Sequence, residues 1–399
     1  MAFSKEVFTK KALGLLAGIS VLASLAGCIT FPHNGVREVM PLGQSTFSEY
    51  VSQTTDWINT HRRFVTNDRL TELSHQVPFE IRPAVPNGKG ILMIHGFTDS
   101  PYNFADIAQH LADKGYLVRA VILPGHGTKP EDMMHITFKD WNQMIDEQTR
   151  IMAREVSELY LAGFSTGANM AVHEAYENTK VAGLILFSPA LSVRTNLIHF
   201  VPLVSLFVDW VRTPAEAGGG ITPFRYRTAP MQGYITFISS MNSAMNRMKD
   251  QVYRKPVLVF MTEHDSIVNT QELLPLMQRQ FASPRSRFVW YGDVLPEGTT
   301  ASDHRLTVLS DYLPQYRIRS FSHLGIVYSP DNPYYGMNGT ERFCLRGQDE
   351  EKRNQCHAGT NLWYGSWNEN RDNHPYARLT FNPYFDRQID LIVNTLGSN

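Results

Sequence analysis

The chain has 399 residues, of which 43% are hydrophobic and 19% are charged, and its formal net charge at pH 7 is −1. This composition is typical of a globular protein with a sizeable core and excludes a disordered or fibrous chain. The balance of 37 basic and 38 acidic residues, without a basic run interleaved with aromatic side chains, argues against nucleic-acid binding.

The N-terminus predicts a lipoprotein signal peptide over residues 1–27. Three lysines precede an apolar run at 12–27, which is short for a membrane-spanning helix. The run ends in LAGC (25–28), which resembles the bacterial lipobox, in which the cysteine is acylated and becomes the mature N-terminus. We therefore expect Cys28 to anchor an exported protein in a membrane, and Ile29 in place of aspartate favours the periplasmic face of an outer membrane. An uncleaved N-terminal helix is the alternative.

After a tether and N-terminal segment (28–75), which includes a polar helix near 46–60, residues 76–399 are interpreted as one main domain. Apolar runs typical of strands recur along it, and segments of helical period lie between them. The predicted strands are 77–84, 89–96, 116–127, 158–163, 181–189, 255–265 and 286–292, and the predicted helices are 101–116, 138–156, 166–176, 271–282 and 383–396. This alternation predicts a doubly wound, mostly parallel α/β sheet with helices on both faces.

Two segments interrupt the alternation. Residues 192–250 lie between two core strands, and we expect them to form a cap over the carboxyl edge of the sheet. Residues 331–380 form a C-terminal extension that carries Cys344 and Cys356. An even number of remaining cysteines in an exported protein predicts a disulfide, with two free thiols as the alternative. A zinc site is disfavoured because His357 is the only nearby side chain of a ligand type.

The segment GFSTG (163–167) has the Gly-x-Ser-x-Gly pattern between a strand and a helix, which indicates a nucleophile elbow. The sharp strand-to-helix turn needs small flanking residues because the two elements pass close together. Such a turn holds Ser165 exposed over the positive end of the helix dipole. The sequence therefore predicts Ser165 as a nucleophile. A Gly/Ser turn without chemical meaning is the alternative.

A nucleophilic serine needs a base to accept its proton and an acid to orient that base, in the chain order Ser, Asp/Glu, His for this architecture. Asp265 directly follows a predicted strand and is the favoured acid, with Glu263 and Asp293 as competitors. His323 is the favoured base because it lies in a run, RIRSFSHLGI, that we interpret as β-rich. His304 lies in a polar loop and is the alternative. The long interval between Asp265 and His323 predicts an additional strand and loop there.

The oxyanion that forms on attack needs hydrogen-bond donors that are aimed at it beforehand. We expect these donors to be the backbone N–H groups of Thr166, which follows the nucleophile, and of Phe97, in the turn after the strand at 89–96. Each donor of this kind contributes on the order of 3 kcal/mol to transition-state stabilisation.

Together, the segments IHGFTDSPYNF, LPGHGTKPEDM, GFSTGA, EHDSIV and SHLG resemble the α/β-hydrolase superfamily over residues 77–330 outside the cap. They are most similar to its monoacylglycerol-lipase/carboxylesterase and serine-aminopeptidase-like branch. The resemblance implies hydrolysis of a carboxylic ester, on a small molecule or a lipid, through an acyl-serine intermediate and without a cofactor. It leaves open a serine aminopeptidase or a thioesterase on the same fold, and a non-catalytic envelope lipoprotein is the alternative from another class.

Overall fold

The structure is a computed structural model that describes residues 39–345, 347–367 and 374–397. The predicted signal peptide (1–27) and the predicted lipid-attachment residue, Cys28, lie outside the described residues. Within these ranges, no helix has the length and apolar character that crossing a membrane requires.

The described strands are β1 (Phe79–Ile81), β2 (Lys89–Ile94), β3 (Leu117–Val121), β4 (Glu158–Phe164), β5 (Val181–Phe187), β6 (Val257–Thr262), β7 (Arg287–Tyr291), β8 (Leu306–Leu309), β9 (Trp363–Gly365) and β10 (Tyr376–Arg378). The first eight form one sheet in the order β1-β3-β2-β4-β5-β6-β7-β8. Only β1 runs antiparallel to its neighbour, and every other pair in that sheet is parallel. The doubly wound, mostly parallel sheet expected from the sequence is thus confirmed.

The described helices are α1 (Phe47–His61), α2 (Arg69–Ser74), α3 (Ala105–Asp113), α4 (Phe138–Met152), α5 (Thr166–Glu177), α6 (Val201–Val204), α7 (Met231–Asp250), α8 (Thr270–Gln280), α9 (Glu350–Ala358) and α10 (Phe385–Gly397). Short 3₁₀ turns complete the connections at Pro101–Phe104, Pro130–His135, Asn196–Phe200 and Pro314–Tyr316.

The near-continuous apolar strands follow from burial on both faces of the sheet. In β2, Leu92 and Ile94 belong to one hydrophobic cluster, whereas Ile91 and Met93 belong to the cluster on the opposite face. Successive side chains of a strand point to opposite faces, so a strand covered on both sides needs apolar residues at every position. The carboxyl ends of the parallel strands remain at one edge, where loops can hold polar side chains.

The segment between β5 and β6 meets that carboxyl edge. The ring of Phe97, in the turn after β2, lies 5.2 Å from the ring of Tyr234 and 5.8 Å from that of Phe237, both in α7. Tyr226 of the same segment donates its backbone N–H to the carbonyl of Thr98 at 2.8 Å. These contacts bring the predicted cap against the turn where an oxyanion donor is expected.

The C-terminal extension contains the predicted disulfide, because Cys344 and Cys356 are bonded. Strand β10 pairs in parallel with β9 in a separate two-stranded sheet. One expectation from the sequence is wrong: the run around His323 is not a strand. It forms turns with only an isolated bridge at Ile318, because its apolar residues are buried as an irregular loop rather than paired along a sheet edge.

Candidate active site

Ser165 lies at the tip of the turn between β4 and α5, with a φ of 54° and a ψ of −113°. A residue with a side chain adopts such a positive φ at an energetic cost of about 1–3 kcal/mol. The neighbouring glycines allow the turn: a Cβ on Gly163 would clash with the backbone of Gly167, and a Cβ on Gly167 would clash with the carbonyl of Ile94. The elbow predicted from GFSTG therefore has the expected geometry.

A continuous hydrogen-bond chain links the three predicted side chains. His323 Nε2 lies 2.9 Å from Ser165 Oγ, and His323 Nδ1 lies 2.6 Å from Asp265 Oδ2. All three residues are buried, with 8%, 4% and 0% of their surface exposed in the order Ser165, His323, Asp265. The carboxylate at Nδ1 selects the tautomer with the proton on Nδ1, which leaves the lone pair of Nε2 to accept the serine proton.

The carboxylate of Asp265 is kept ionised by its surroundings. Its other oxygen, Oδ1, accepts the backbone N–H groups of Ile267 and Val268 at 2.8 and 2.9 Å. Burial alone would raise the pKa of Asp265, but the charge and hydrogen bond of His323 and the two amide hydrogen bonds outweigh burial and lower this pKa below its usual value. An ionised Asp265 can stabilise an imidazolium at His323.

Two contacts hold the loop that carries His323 in place. Ser188, which follows β5, donates its hydroxyl to the carbonyl of His323 at 3.2 Å. The ring of Phe164, at the end of β4, lies 5.1 Å from the imidazole ring. Ser165, Asp265 and His323 therefore all lie beyond the carboxyl ends of sheet strands, although they come from three separate connections.

The competing residues lie elsewhere. His304 precedes β8 and is exposed, so it lies at the amino end of a parallel strand, opposite the edge that holds Ser165. Glu263 Oε2 accepts the backbone N–H groups of Asp293 and Val294 at 2.9 and 2.8 Å, which fixes a turn after β7. The structure brings neither carboxylate competitor into the hydrogen-bond chain with Ser165.

The turn after β2 is fixed by a histidine that the sequence analysis did not single out. Thr98 has a φ of 65° and donates its backbone N–H to Nε2 of His126 at 3.1 Å. Burial, with a smaller contribution from His95, lowers the pKa of His126 well below its usual value, so the ring stays neutral and able to accept. Within the described residues, the N–H groups of Phe97 and Thr166 have no hydrogen-bond acceptor.

Two arginines near the site were also missed by sequence reasoning. Arg225 Nε lies 3.2 Å from Asp99 Oδ1, directly after the expected oxyanion turn. Arg378 donates from Nε to the hydroxyl of Ser322, the neighbour of His323, at 3.3 Å. Neither lies in a recognisable local motif, because each acquires its position only through contacts with distant parts of the chain. Among the described residues, no group of three or more His, Cys, Asp and Glu side chains is arranged to hold a metal ion.

Comparison with known proteins agrees with this architecture. Residues 86–218 match the family model described as serine aminopeptidase S33. A thermostable monoacylglycerol lipase of Bacillus sp. strain H-257 is 30% identical over 104 residues, which cover 26% of this chain and 42% of the relative. A carboxylesterase of Bacillus subtilis strain 168 is 19% identical over 206 residues, which cover 51% of this chain and 82% of the relative.

Solved structures include one of the metagenome-derived lipolytic enzymes LipS and LipT, at 23% identity and a TM-score of 0.47, with coverage of 54% of this chain and 87% of that chain. A soluble variant of monoglyceride lipase from Saccharomyces cerevisiae is 16% identical with a TM-score of 0.42, covering 58% of this chain and 85% of that chain. Likeness at these low TM-scores does not bear on activity. Sheet order and family match together establish the α/β-hydrolase fold, and the matched relatives are lipases and esterases.

Proposed function

We propose that the protein is a serine hydrolase that cleaves carboxylic esters through an acyl intermediate on Ser165. The observation that carries the proposal is the hydrogen-bond chain from Ser165 through His323 to Asp265, built on a strained elbow. In this assignment Ser165 is the nucleophile, His323 is the general base, and Asp265 orients His323 and stabilises its charged form.

In the acylation step, Ser165 Oγ attacks the ester carbonyl carbon while its proton passes to His323 Nε2. The carbonyl oxygen becomes an oxyanion, and the unpartnered N–H groups of Phe97 and Thr166 are the donors that we assign to it. The tetrahedral intermediate collapses when the carbon–oxygen bond to the alcohol breaks, and His323 returns its proton to the departing alkoxide. The alcohol leaves and the acyl group stays on Ser165.

In the deacylation step, water takes the place of the alcohol. His323 Nε2 accepts a proton from the water as its oxygen attacks the acyl carbon, and the same two N–H groups hold the second oxyanion. Collapse of this intermediate breaks the bond to Ser165 Oγ, which regains its proton from His323, and the carboxylic acid is released. The cycle uses only the three side chains of the hydrogen-bond chain, the two backbone N–H groups and water.

Acyl lipids, including monoacylglycerol-type esters, are the substrates that we propose. A monoacylglycerol lipase is among the matched relatives. The segment between β5 and β6 also exposes large apolar side chains, with 54% of Phe200, 59% of Leu203, 74% of Leu206 and 59% of Phe207 accessible. Clusters of exposed apolar side chains on a soluble domain commonly mark contact with apolar ligands or lipid.

A serine aminopeptidase is the second candidate, because that is the description of the matching family model. An aminopeptidase has to bind the positively charged N-terminus of a peptide near its nucleophile. Here Arg225 and Arg378 both lie beside the site, and the carboxylate of Asp99 is already paired with Arg225. This positive charge favours ester cleavage over recognition of an ammonium group.

Labelling with a fluorescent alkyl phosphonate, which modifies activated serines, tests the proposal together with ester turnover. We expect the wild-type protein to label and to hydrolyse monobutyrylglycerol, whereas Ser165→Ala should lose both by at least roughly a thousandfold. Ser286→Ala is the control and should label and turn over like wild type, because Ser286 is also fully buried but its hydroxyl accepts the N–H of Val257 at the amino end of β6, at the opposite edge of the sheet from Ser165. Equal turnover by wild type and Ser165→Ala would favour the non-catalytic lipoprotein.

We also propose that Cys28 carries the lipid that anchors the protein in a membrane, on the outer-membrane or periplasmic side. The support is the lipobox-like LAGC after a short apolar run. Several acyl chains on one cysteine would give firm attachment, which a single chain does not. Mass analysis of the mature protein should find the acylated Cys28 as its first residue, and Cys28→Ala should abolish acylation.

A further inference from the structure

Two arginines lie beside the proposed catalytic centre without taking part in the proton transfers. Arg225 comes from the segment between β5 and β6 and donates from Nη2 to Oγ1 of Thr98 at 3.2 Å, beside the oxyanion turn. Arg378 comes from β10 and donates to Ser322 Oγ, beside the base. Both arginines contact Phe343, since the guanidinium of Arg225 lies over its ring and the backbone N–H of Arg378 donates to its carbonyl at 3.0 Å.

The two guanidinium groups differ in their partners, because only Arg225 is paired with a carboxylate. Arg225 is paired with Asp99 and lies against the ring of Phe343, 5.9 Å from its centroid. Arg378 is only 5% exposed and lies 5.7 Å from the centroid of the Trp367 ring, but within the described residues its Nη2 has no hydrogen-bond acceptor. The oxygens of Asp265, whose charge reaches Arg378, are occupied by His323 and two backbone amides.

Arg378 nevertheless remains a cation under ordinary conditions. Burial and the positive charge of Arg225 lower the pKa of Arg378 to about 10, and the carboxylates of Asp265 and Asp99 oppose this shift. A buried cation that is not paired with an anion is unfavourable, so such groups are normally kept where an anion can be supplied. The planar fork of a guanidinium matches the two oxygens of a carboxylate or a phosphate.

We propose that Arg378, supported by Arg225, recognises an anionic group, a carboxylate or a phosphate, on the ester substrate. The inference rests on the proposed ester hydrolysis and names its substrate class. Arg378 donates to Ser322, which precedes His323, and Arg225 donates to Thr98, which follows Phe97. An anion that contacts both guanidinium groups therefore lies close to the ester bond that is cleaved. The C-terminal extension then has a function, since it delivers Arg378 to the site.

Two matched substrate pairs test this proposal and separate the sources of the anion. The first pair is the para-nitrophenyl ester of glutaric acid with its second carboxylate free, and the same compound with that carboxylate methylated. The second pair is monobutyrylglycerol phosphate and monobutyrylglycerol. We expect wild type to prefer the anionic member of one pair by about tenfold or more in kcat/KM, chiefly through KM. A preference in the first pair indicates a carboxylate on the acyl side, and one in the second indicates a phosphate on the alcohol side.

Arg378→Met should remove most of that preference, so that kcat/KM for the anionic ester falls about tenfold more than kcat/KM for the neutral ester. Arg119→Met is the control, because Arg119, on β3 away from the site, is equally buried and also has one nitrogen without an acceptor among the described residues, but is paired with the carboxylates of Glu80 and Glu155. It should leave the ratio at the wild-type value. If Arg378→Met fails to fold, Arg378→Gln, which keeps a donor for Ser322, is read in the same way.

Two kinetic results would overturn the inference. One is a wild type that shows no anionic preference in either pair. The other is an equal fall for both members of a pair in the Arg378 variants, which would mean that Arg378 acts only through Ser322 on the base.

A binding measurement keeps the inference separate from the proposed hydrolysis. Glutarate or inorganic phosphate should raise the Tm of the Ser165→Ala protein, glutaramide should not, and the additional Arg378→Met change should abolish the shift. A protein that hydrolyses no ester but shows this shift would contradict the proposed function and retain the anion site. If neither anion shifts Tm, the anion site is refuted even where esters are hydrolysed.

Discussion

The hydroxyl of Ser165 faces an imidazole because the backbone, rather than a flexible side chain, determines its direction. The Ser165 N–H donates to the carbonyl of Phe187 at 2.9 Å, which ties the elbow to β5. Asp265 is held by two amides of its own turn, and the His323 loop is held by Ser188. Polar groups fixed in this way need little reorganisation when charge develops, which is the main source of electrostatic catalysis.

Replacement of the two candidate bases should separate them clearly. We expect His323→Ala to lower kcat for a simple ester by at least about a thousandfold, because Ser165 loses its proton acceptor. His304→Ala removes an exposed imidazole before β8 and should leave kcat within about twofold of wild type, as for most surface changes. Rates for para-nitrophenyl butyrate, measured on proteins of matched Tm, check this. A loss of kcat in His304→Ala but not in His323→Ala would contradict the assignment.

Local sequence was sufficient for some of these residues and insufficient for others. Ser165 and Asp265 could be predicted because β4 ends directly before Ser165 and β6 ends shortly before Asp265, so their position at the carboxyl edge follows from the chain itself. Arg378 could not, because what makes it notable is an unpartnered guanidinium beside Ser322. That property depends on contacts between residues far apart in the chain, and no spacing or motif encodes it.

At the scale of elements, buried strands were predictable and irregular buried loops were not. Strands such as β4 and β6 are apolar except at one terminal residue, Glu158 and Thr262 respectively, because both faces of the sheet are covered. The long interval between Asp265 and His323 does contain an additional strand, β8, as expected. The loop around His323 has equally apolar residues, Phe321 and Leu324 among them, but uses them to fill space beneath turns. Apolar composition reports burial and does not distinguish a strand from a packed loop.

The disulfide joins the elements that present Arg378. Cys344 forms an isolated bridge with Ala377, and the N–H of Arg378 donates to the carbonyl of Phe343 at 3.0 Å, so the segment before Cys344 supports β10 directly. The bond to Cys356 attaches α9 to this segment. A cross-link over a short loop restricts the unfolded chain and so stabilises the folded one.

We therefore expect the double variant Cys344→Ser/Cys356→Ser to unfold with a free energy about 2–4 kcal/mol lower than that of wild type. Urea unfolding with and without a thiol reductant measures the difference. Reductant should lower the midpoint of wild type and leave that of the double variant unchanged. A wild-type midpoint that is insensitive to reductant under conditions that reduce the bond would show that the bridge does not stabilise the fold.

At the scale of the whole molecule, stability depends on pH through carboxylates that the fold buries. Glu174, on the α5 helix that begins at the elbow, is 3% exposed and accepts a hydrogen bond from the side chain of Asn178 at 3.0 Å. Burial raises the pKa of Glu174 to about 7, and the negative charges of Asp146 and Glu177 add to the rise. The folded state therefore binds a proton more tightly than the unfolded state, in which this pKa is about 4.3.

The sign of the effect follows from that difference. Below the unfolded pKa both states are protonated and the contribution of Glu174 to stability is complete. It is lost progressively as pH rises through about 7, the folded value, because the unfolded chain releases this proton at lower pH, whereas the folded protein can release it only by holding a buried charge. Glu174→Gln keeps the shape and the acceptor for Asn178 without an ionisable group. The unfolding free energy of this variant minus that of wild type should therefore grow by roughly 1–3 kcal/mol between about pH 5 and pH 8.

Urea unfolding of both proteins across that pH range measures the difference. Glu351→Gln is the control, because it removes an exposed carboxylate that likewise accepts a hydrogen bond from an amide side chain four residues further on, Gln355 at 3.2 Å, and exposed groups of this kind contribute little. If Glu174→Gln and wild type lost stability in parallel with rising pH, a buried neutral Glu174 would be refuted, and the pH dependence of the fold would have to come from other carboxylates.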